Sequence, residues 1–234
     1  MKIENTTHPT QTKIIKYLAF NVSARFTDLN TDKLPNDHFN FHIKKLVTEG
    51  VLIKNNRNLY ELTLKGKQIL SGIDIINLEV EKTPKVSVLV APIRNHKGKT
   101  EYLVQKRLKQ PYYGYCGSVT GKVKFGESIH EAANRELKEE TGLSGDLLMK
   151  GIKHKLYYDK NKKPIADAYF FLFIVKYIKG KLVNTQEGEN FWISKDNMDN
   201  KKIKWFPDYK NTLKILNNTD LNNFFELIVD DTGF

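Results

Sequence analysis

The chain has 234 residues, with 38 basic side chains against 27 acidic ones and a net charge of +11. Hydrophobic residues make up 40% and charged residues 28%, a balance that supports a packed core and argues against general disorder. One cysteine, Cys116, excludes an internal disulfide and a zinc site built on several thiolates. No run of eighteen apolar residues occurs, and MKIENTTHPTQ lacks the basic-then-apolar layout of a secretory leader, so a soluble cytoplasmic protein with no membrane role is expected.

The positive excess suits polyanions: nucleic acid, an anionic lipid surface or a phosphorylated small molecule. Residues 1–80 carry 11 basic and 8 acidic side chains, net +3, which leaves +8 for the remainder. Along this first part, Thr10 to Phe20 are mostly helix formers, with Ile14, Ile15, Leu18 and Ala19 able to share a face. A second helix is predicted from Asn36, as N-cap, to Glu49, with Gly50 beyond it and Phe39, Ile43, Leu46 and Val47 on one side. Val51 to Lys54, the turn-prone Asn55 to Asn58, and Leu59 to Thr63 read as a hairpin, followed by a short helix from Leu64 to Leu70.

Helices followed by a small hairpin resemble the winged helix-turn-helix fold, and HIKKLVTEGVLIKNNRNLYELTLKGKQIL is similar to the end of that module in bacterial and archaeal regulators. The resemblance implies binding of double-stranded DNA. The helix from Asn36 would turn His38, Phe41, His42, Lys44 and Lys45 outward, and Arg57 in the wing would contact phosphate. A protein-interaction or dimerisation module is the alternative, because net +3 is modest and Asp37 opens the helix. A domain junction is read near Ser71 to Pro84, where a β-branched run begins, giving domains at 1–80 and 84–234.

Beyond the junction, strands are predicted from Val86 to Arg94 and from Thr100 to Arg107, joined by a turn at Asn95 to Gly98. Gly98-Lys99-Thr100 is not the end of a phosphate-binding P-loop, since Ile93 stands where the first glycine belongs. The informative stretch runs from Gly121 to Leu143, GKVKFGESIHEAANRELKEETGL. A glycine-containing loop enters a helix at Ser128, where Ser128 and Glu131 form a capping box, and the helix stops at Gly142. Ile129, Ala132, Ala133 and Leu137 make a narrow apolar stripe for packing on a sheet. Glu136, Glu139 and Glu140, at i, i+3 and i+4, crowd another face, where they repel one another. Hard oxygen donors grouped in this way are either a solvated acidic surface or a site for Mg²⁺ or Mn²⁺ beside a phosphorylated substrate.

Gly121, five residues, Glu127, seven residues, then Arg135-Glu-Leu-Lys-Glu-Glu-Thr-Gly-Leu143 matches the signature of the Nudix hydrolases at all nine defined positions in twenty-three. The chain resembles that family from about residue 84 to 216. The resemblance implies an α/β/α sandwich with a mixed sheet, including strands at Val86, Tyr102, Lys153 to Tyr158, Ala168 to Tyr177 and Phe191 to Ile193. It also implies a Mg²⁺-dependent pyrophosphohydrolase, with Mn²⁺ as a substitute, that cleaves a nucleoside diphosphate derivative by water attack at phosphorus.

In the roles so implied, Glu136, Glu139, Glu140 and the backbone carbonyl of Gly121 hold the metal, Arg135 orients the carboxylates and Glu127 supports the loop. Where many members have Pro-Gly-Gly, this chain has Val119-Thr120-Gly121, so the loop shape is open. Glu187 or Glu189 is a candidate base from a later loop, and Gln105, Arg107 and Lys109 are candidates to reach phosphates. Tyr112, Tyr113, Phe125 and Trp192 are candidates to stack on a base. Helices are predicted at Asp208 to Leu216 and Leu221 to Val229. The competing reading is a transcriptional regulator whose Nudix domain senses a nucleotide metabolite, and homodimerisation suits either one.

Overall fold

The computed structural model describes residues 8–72, 82–159, 161–218 and 224–230. The chain divides into two compact units, 1–82 and 83–234. Most of the junction read at Ser71 to Pro84 lies outside the described residues. Among those described, no helix is long and apolar enough to cross a membrane.

The first unit contains α1 (Pro9–Phe20), α2 (Phe26–Leu29), α3 (Asn36–Thr48), β1 (Leu52–Lys54), β2 (Tyr60–Leu62) and α4 (Leu64–Leu70). Ile14, Ile15 and Leu18 from α1 meet Leu29, Phe39, Ile43 and Leu46 in one apolar core. The turn between β1 and β2 is held by Asn55, whose side-chain oxygen accepts from the N–H groups of Arg57 and Leu59. Thr63 caps α4 by accepting from the N–H of Gly66.

Two expectations about α3 are corrected. Pro35 occupies the N-cap position and Asn36 lies inside the helix, because proline has the extended backbone that a helix start needs. His42 does not face outward: it is 2% exposed, on the same stripe as Phe39, Ile43 and Leu46, while Val47 is turned out to 38% exposure. The 39, 42–43, 46 spacing is the true core period, and it rotates the helix so that position 42 goes in and 47 goes out. His38, Phe41 and Lys44 are exposed, Lys45 is half-buried, and Arg57 is exposed in the turn.

The second unit is a mixed sheet between two helices. Its strands are β3 (Lys85–His96), β4 (Lys99–Arg107), β5 (Cys116–Gly117), β6 (Val119–Lys122), β7 (Leu143–Tyr158), β8 (Pro164–Gly180), β9 (Gly188–Ser194) and β10 (Phe224–Asp230). They follow the order β10-β7-β8-β3-β4-β5, with β6 also paired to β3 and β9 to β4. β3–β8 and β10–β7 are parallel, and the other pairings are antiparallel. Alternation along β3 makes the layers. Val88 and Val90 pack with Ala132, Ala133 and Leu137 of α5 (Ile129–Thr141), whereas Leu89 and Ala91 pack with Ile215 and Leu216 of α6 (Tyr209–Asn217). Each buried valine, leucine or isoleucine among them contributes roughly 1.5–3 kcal/mol.

β3 forks, and this positions the site. Ser87 to Val90 pair with β6, while Ile93 to His96 pair with β4. The loop expected from Gly121 to Ser128 is there over 123–128, but its first two residues belong to strand β6, since Val119 to Lys122 find partners along β3. The helix expected at Leu221 to Val229 is also corrected. Residues 224–230 form β10, a run of aromatic and β-branched residues that finds a ladder along 152–158 of β7.

Candidate active site

α5 starts on the expected capping box, with Ser128 accepting from the N–H of Glu131, and ends on Gly142 in the left-handed conformation at φ 73°. Its apolar stripe fixes its rotation on the sheet, which turns Arg135, Glu136, Glu139 and Glu140 towards the fork. Arg135 is the hub. Its Nε and Nη2 donate to the two oxygens of Glu127 at 2.7 and 2.9 Å, a bidentate pair. Its Nη1 donates to Glu136 at 2.6 Å and to Glu139 at 3.1 Å, and Nη2 also donates to the carbonyl of Lys122 at 3.0 Å. One guanidinium thus offsets the repulsion among three carboxylates and ties α5 to β6.

The electrostatics follow from these bonds. The Arg135 hydrogen bonds, helped by the N–H of Lys124, hold Glu127 down at about 2. The same bonds push Arg135 further up from its ordinary value. Glu136 is buried against β6, and desolvation pushes its carboxyl up despite Arg135. Glycine at 121 is obligatory for this packing, since a Cβ there would lie 1.8 Å from the carboxyl carbon of Glu136.

Glu140 has different partners. Gln105 of β4 and the hydroxyl of Thr185 each donate to its Oε2 at 3.1 Å. Thr185 in turn accepts from the N–H groups of Glu187 and Gly188, and the Asn190 side chain donates to the Glu140 and Val183 carbonyls. This clamp from the β8–β9 connection was not read from the sequence. Its only signal there was the polar run Asn184 to Asn190, which a solvated turn also produces. Gln105 belongs to it, holding a carboxylate through its amide.

The remaining candidates scatter. Glu187 pairs with Lys109, and Glu189 lies 3.5 Å from Lys106. Phe125 is fully exposed in the turn before α5, Tyr113 is 58% exposed, and Trp192 carries the guanidinium of Arg94 on its ring at 4.0 Å. Arg107 donates to the carbonyls of Pro111 and Gln110 and, with Tyr112, borders a cavity on the α6 face of the sheet. Among the described residues, no three His, Cys, Asp or Glu side chains converge on one point as metal donors. Arg135 draws Glu136 and Glu139 to itself, and Glu140 turns to Gln105 and Thr185.

Comparison with known proteins places this geometry. A family model described as the NUDIX domain matches residues 83–214, more than half of the chain. The chain belongs to the Nudix family. An ADP-ribose pyrophosphatase of Saccharomyces cerevisiae is 47% identical over 51 residues, an alignment that spans 21% of this chain and 22% of the yeast protein. Among solved structures, the Nudix domain of Shewanella oneidensis NrtR, complexed with ADP ribose, superposes with a TM-score of 0.51 at 13% identity, covering 64% of this chain and 94% of that one. The MutT protein of Bacillus halodurans has a TM-score of 0.50 at 23% identity, covering 62% and 90%. These likenesses show the Nudix fold: an α/β/α sandwich whose signature helix is α5.

Proposed function

We propose that this chain is a Nudix pyrophosphohydrolase that uses Mg²⁺, or Mn²⁺ in its place, to cleave a nucleoside diphosphate derivative by water attack at phosphorus. The observation that carries the reading is the complete carboxylate set on α5, with Glu136 and Glu139 held by Arg135, Glu140 held by Gln105 and Thr185, and Glu136 packed on a glycine that no other residue can replace without displacing it. The yeast relative is an ADP-ribose pyrophosphatase, which supports the substrate class.

The donor set fits a hard cation: Glu136, Glu139, Glu140 and the Gly121 carbonyl are all oxygen ligands, and burial leaves Glu136 short of solvation that a cation restores. Such an ion, when bound, neutralises charge developing on the phosphoryl oxygens and makes water a better nucleophile. Arg135 is a positioning residue, restraining Glu136 and Glu139 while Glu127 anchors its other edge. Gln105 and Thr185 orient Glu140 through neutral donors, so its charge is not consumed by a cation. Glu187 and Glu189 face lysines, which favours a glutamate of α5 as the base.

A panel of nucleoside diphosphate derivatives with Mg²⁺, read by release of nucleoside monophosphate, tests the activity. Glu140→Gln is expected to lower kcat at least about a hundredfold. Near-normal turnover in that variant overturns the site. For residues 1–80 we propose a winged helix-turn-helix that binds duplex DNA through His38, Phe41, Lys44 and Lys45 of α3 and through Arg57, with His42 withdrawn into the core. The helix–hairpin order and the exposure of His38, Phe41, Lys44 and Arg57 support it.

A further inference from the structure

The cavity on the α6 face has a volume of about 210 Å³, room for roughly seven waters' worth of liquid. Its chemistry is unusual for a sheet interior. Lys153 and Lys155, on one face of β7, have side chains only 4% and 5% exposed, and both converge on a single carboxylate, Asp208. Lys153 Nζ lies 2.8 Å from one Asp208 oxygen and 2.8 Å from the Thr212 hydroxyl, and Lys155 Nζ lies 3.1 Å from the other oxygen. Beyond Asp208, Lys155 sits against the rings of Tyr157 and Phe206 at 4.6 and 5.9 Å. Arg107 borders the same cavity and bonds to carbonyls, and Asp167 at the rim is already paired with His154 at 2.8 Å.

Two ammonium groups therefore share one interior carboxylate, and Arg107 borders the same cavity without reaching it. A buried charge without a counter-ion costs several kcal/mol, so a purely structural tether between β7 and α6 would be better served by one lysine and one aspartate. Lys155 also has three donors to place, and an oxyanion supplies acceptors that aromatic rings do not.

The cavity adjoins the carboxylate site. Thr120 of β6 lines it, and the next residue, Gly121, backs onto Glu136 from the other face of the same strand. Arg107 follows two residues after Gln105, which holds Glu140. Resting on the hydrolase reading above, we infer that the moiety flanking the scissile diphosphate carries an additional anionic group, a phosphate monoester or a carboxylate, seated on Lys153, Lys155 and Arg107. The substrate class narrows accordingly, from nucleoside diphosphate derivatives at large to those with a second acidic group.

The test compares matched pairs that differ by that group: NADP⁺ with NAD⁺ and coenzyme A with dephospho-coenzyme A for the phosphate, and UDP-glucuronate with UDP-glucose for the carboxylate. Calorimetric binding to the full chain in EDTA reads affinity without turnover, and adding Mg²⁺ then reads hydrolysis. The charged member of at least one pair is expected to bind at least about tenfold tighter. Lys155→Met, which keeps the stem and leaves Lys153 on Asp208, should cut that ratio at least about fivefold. Asp208→Asn, which removes the competing carboxylate, should preserve or raise it, whereas a structural tether predicts loss. Equal binding within every pair, no binding of any charged member, or a ratio unmoved by Lys155→Met overturns the inference. A charged-group preference without hydrolysis leaves it standing and rejects the hydrolase reading. Hydrolysis without preference does the reverse.

Discussion

Arg135 is the residue on which the site turns, because one guanidinium satisfies Glu127, Glu136 and Glu139 together. That economy makes the cluster sensitive to backbone changes nearby. Gly121→Ala would put a methyl group where the Glu136 carboxyl lies, and a side-chain terminus yields more easily than a strand. Hydrolysis is therefore expected to fall at least about tenfold, with folding stability lowered by no more than about 1 kcal/mol. Steady-state kinetics beside a denaturant titration reads both numbers, and a variant that keeps wild-type kcat refutes the close-packing argument. The glutamates, Arg135 and Gly121 were all legible as a spaced motif. The Thr185 and Asn190 clamp was not, since its partners lie 45 and 50 residues away in sequence.

At the scale of elements, the start of α6 is fastened to β7 through Asp208. Burial opposes ionisation of that carboxyl, but the two ammonium groups outweigh it and hold it at about 2, against an ordinary 3.8. A carboxylate whose folded pKa is depressed stabilises the fold above its unfolded pKa and loses that contribution as pH falls through the folded value. The stability advantage of wild type over Asp208→Asn should hold at pH 5 and narrow by about 2 kcal/mol on acidification to pH 2. Guanidinium unfolding of both proteins across that range measures it, and a difference independent of pH would mean that Asp208 is not ionised in the fold. The family resemblance implied only the end of β7, Lys153 to Tyr158, and the strand begins ten residues earlier at Leu143. The inward direction of Lys153 and Lys155 was not foreseen, because an alternating Lys-x-Lys on a strand reads as a solvated edge until a helix covers it.

At the scale of the molecule, the two compact units carry different expectations about charge. The first has only net +3 over residues 1–80, so its affinity for DNA has to come from a few outward side chains on α3 and the hairpin turn. Duplex binding is expected at low salt and should weaken steeply as salt rises, with each neutralised phosphate adding about 0.9 to the slope of log K against log salt. Lys44→Glu should reduce both affinity and slope, and salt-independent or absent binding would leave this unit as an interaction module. The second unit holds most of the excess charge. Part of it lies in the cationic cavity, so a high isoelectric point is weak evidence for nucleic acid here.

What sequence alone determined were the local and periodic features: the α5 capping box and stripe, the spacing of the Nudix signature, the strand runs and the helix–hairpin order of residues 1–80. These are set by neighbours within a turn or two, where propensity and periodicity act directly. The rotation that buries His42, the pairing that makes a strand of residues 119–122, and the parallel seat of residues 224–230 on β7 were decided by partners distant in sequence. Short segments have comparable local preferences for several states, and the available ladder or core surface chooses among them. The cavity in which Lys153 and Lys155 share Asp208 beside Arg107 exists only because β4, β7 and α6 meet, and no spacing along the chain encodes that meeting.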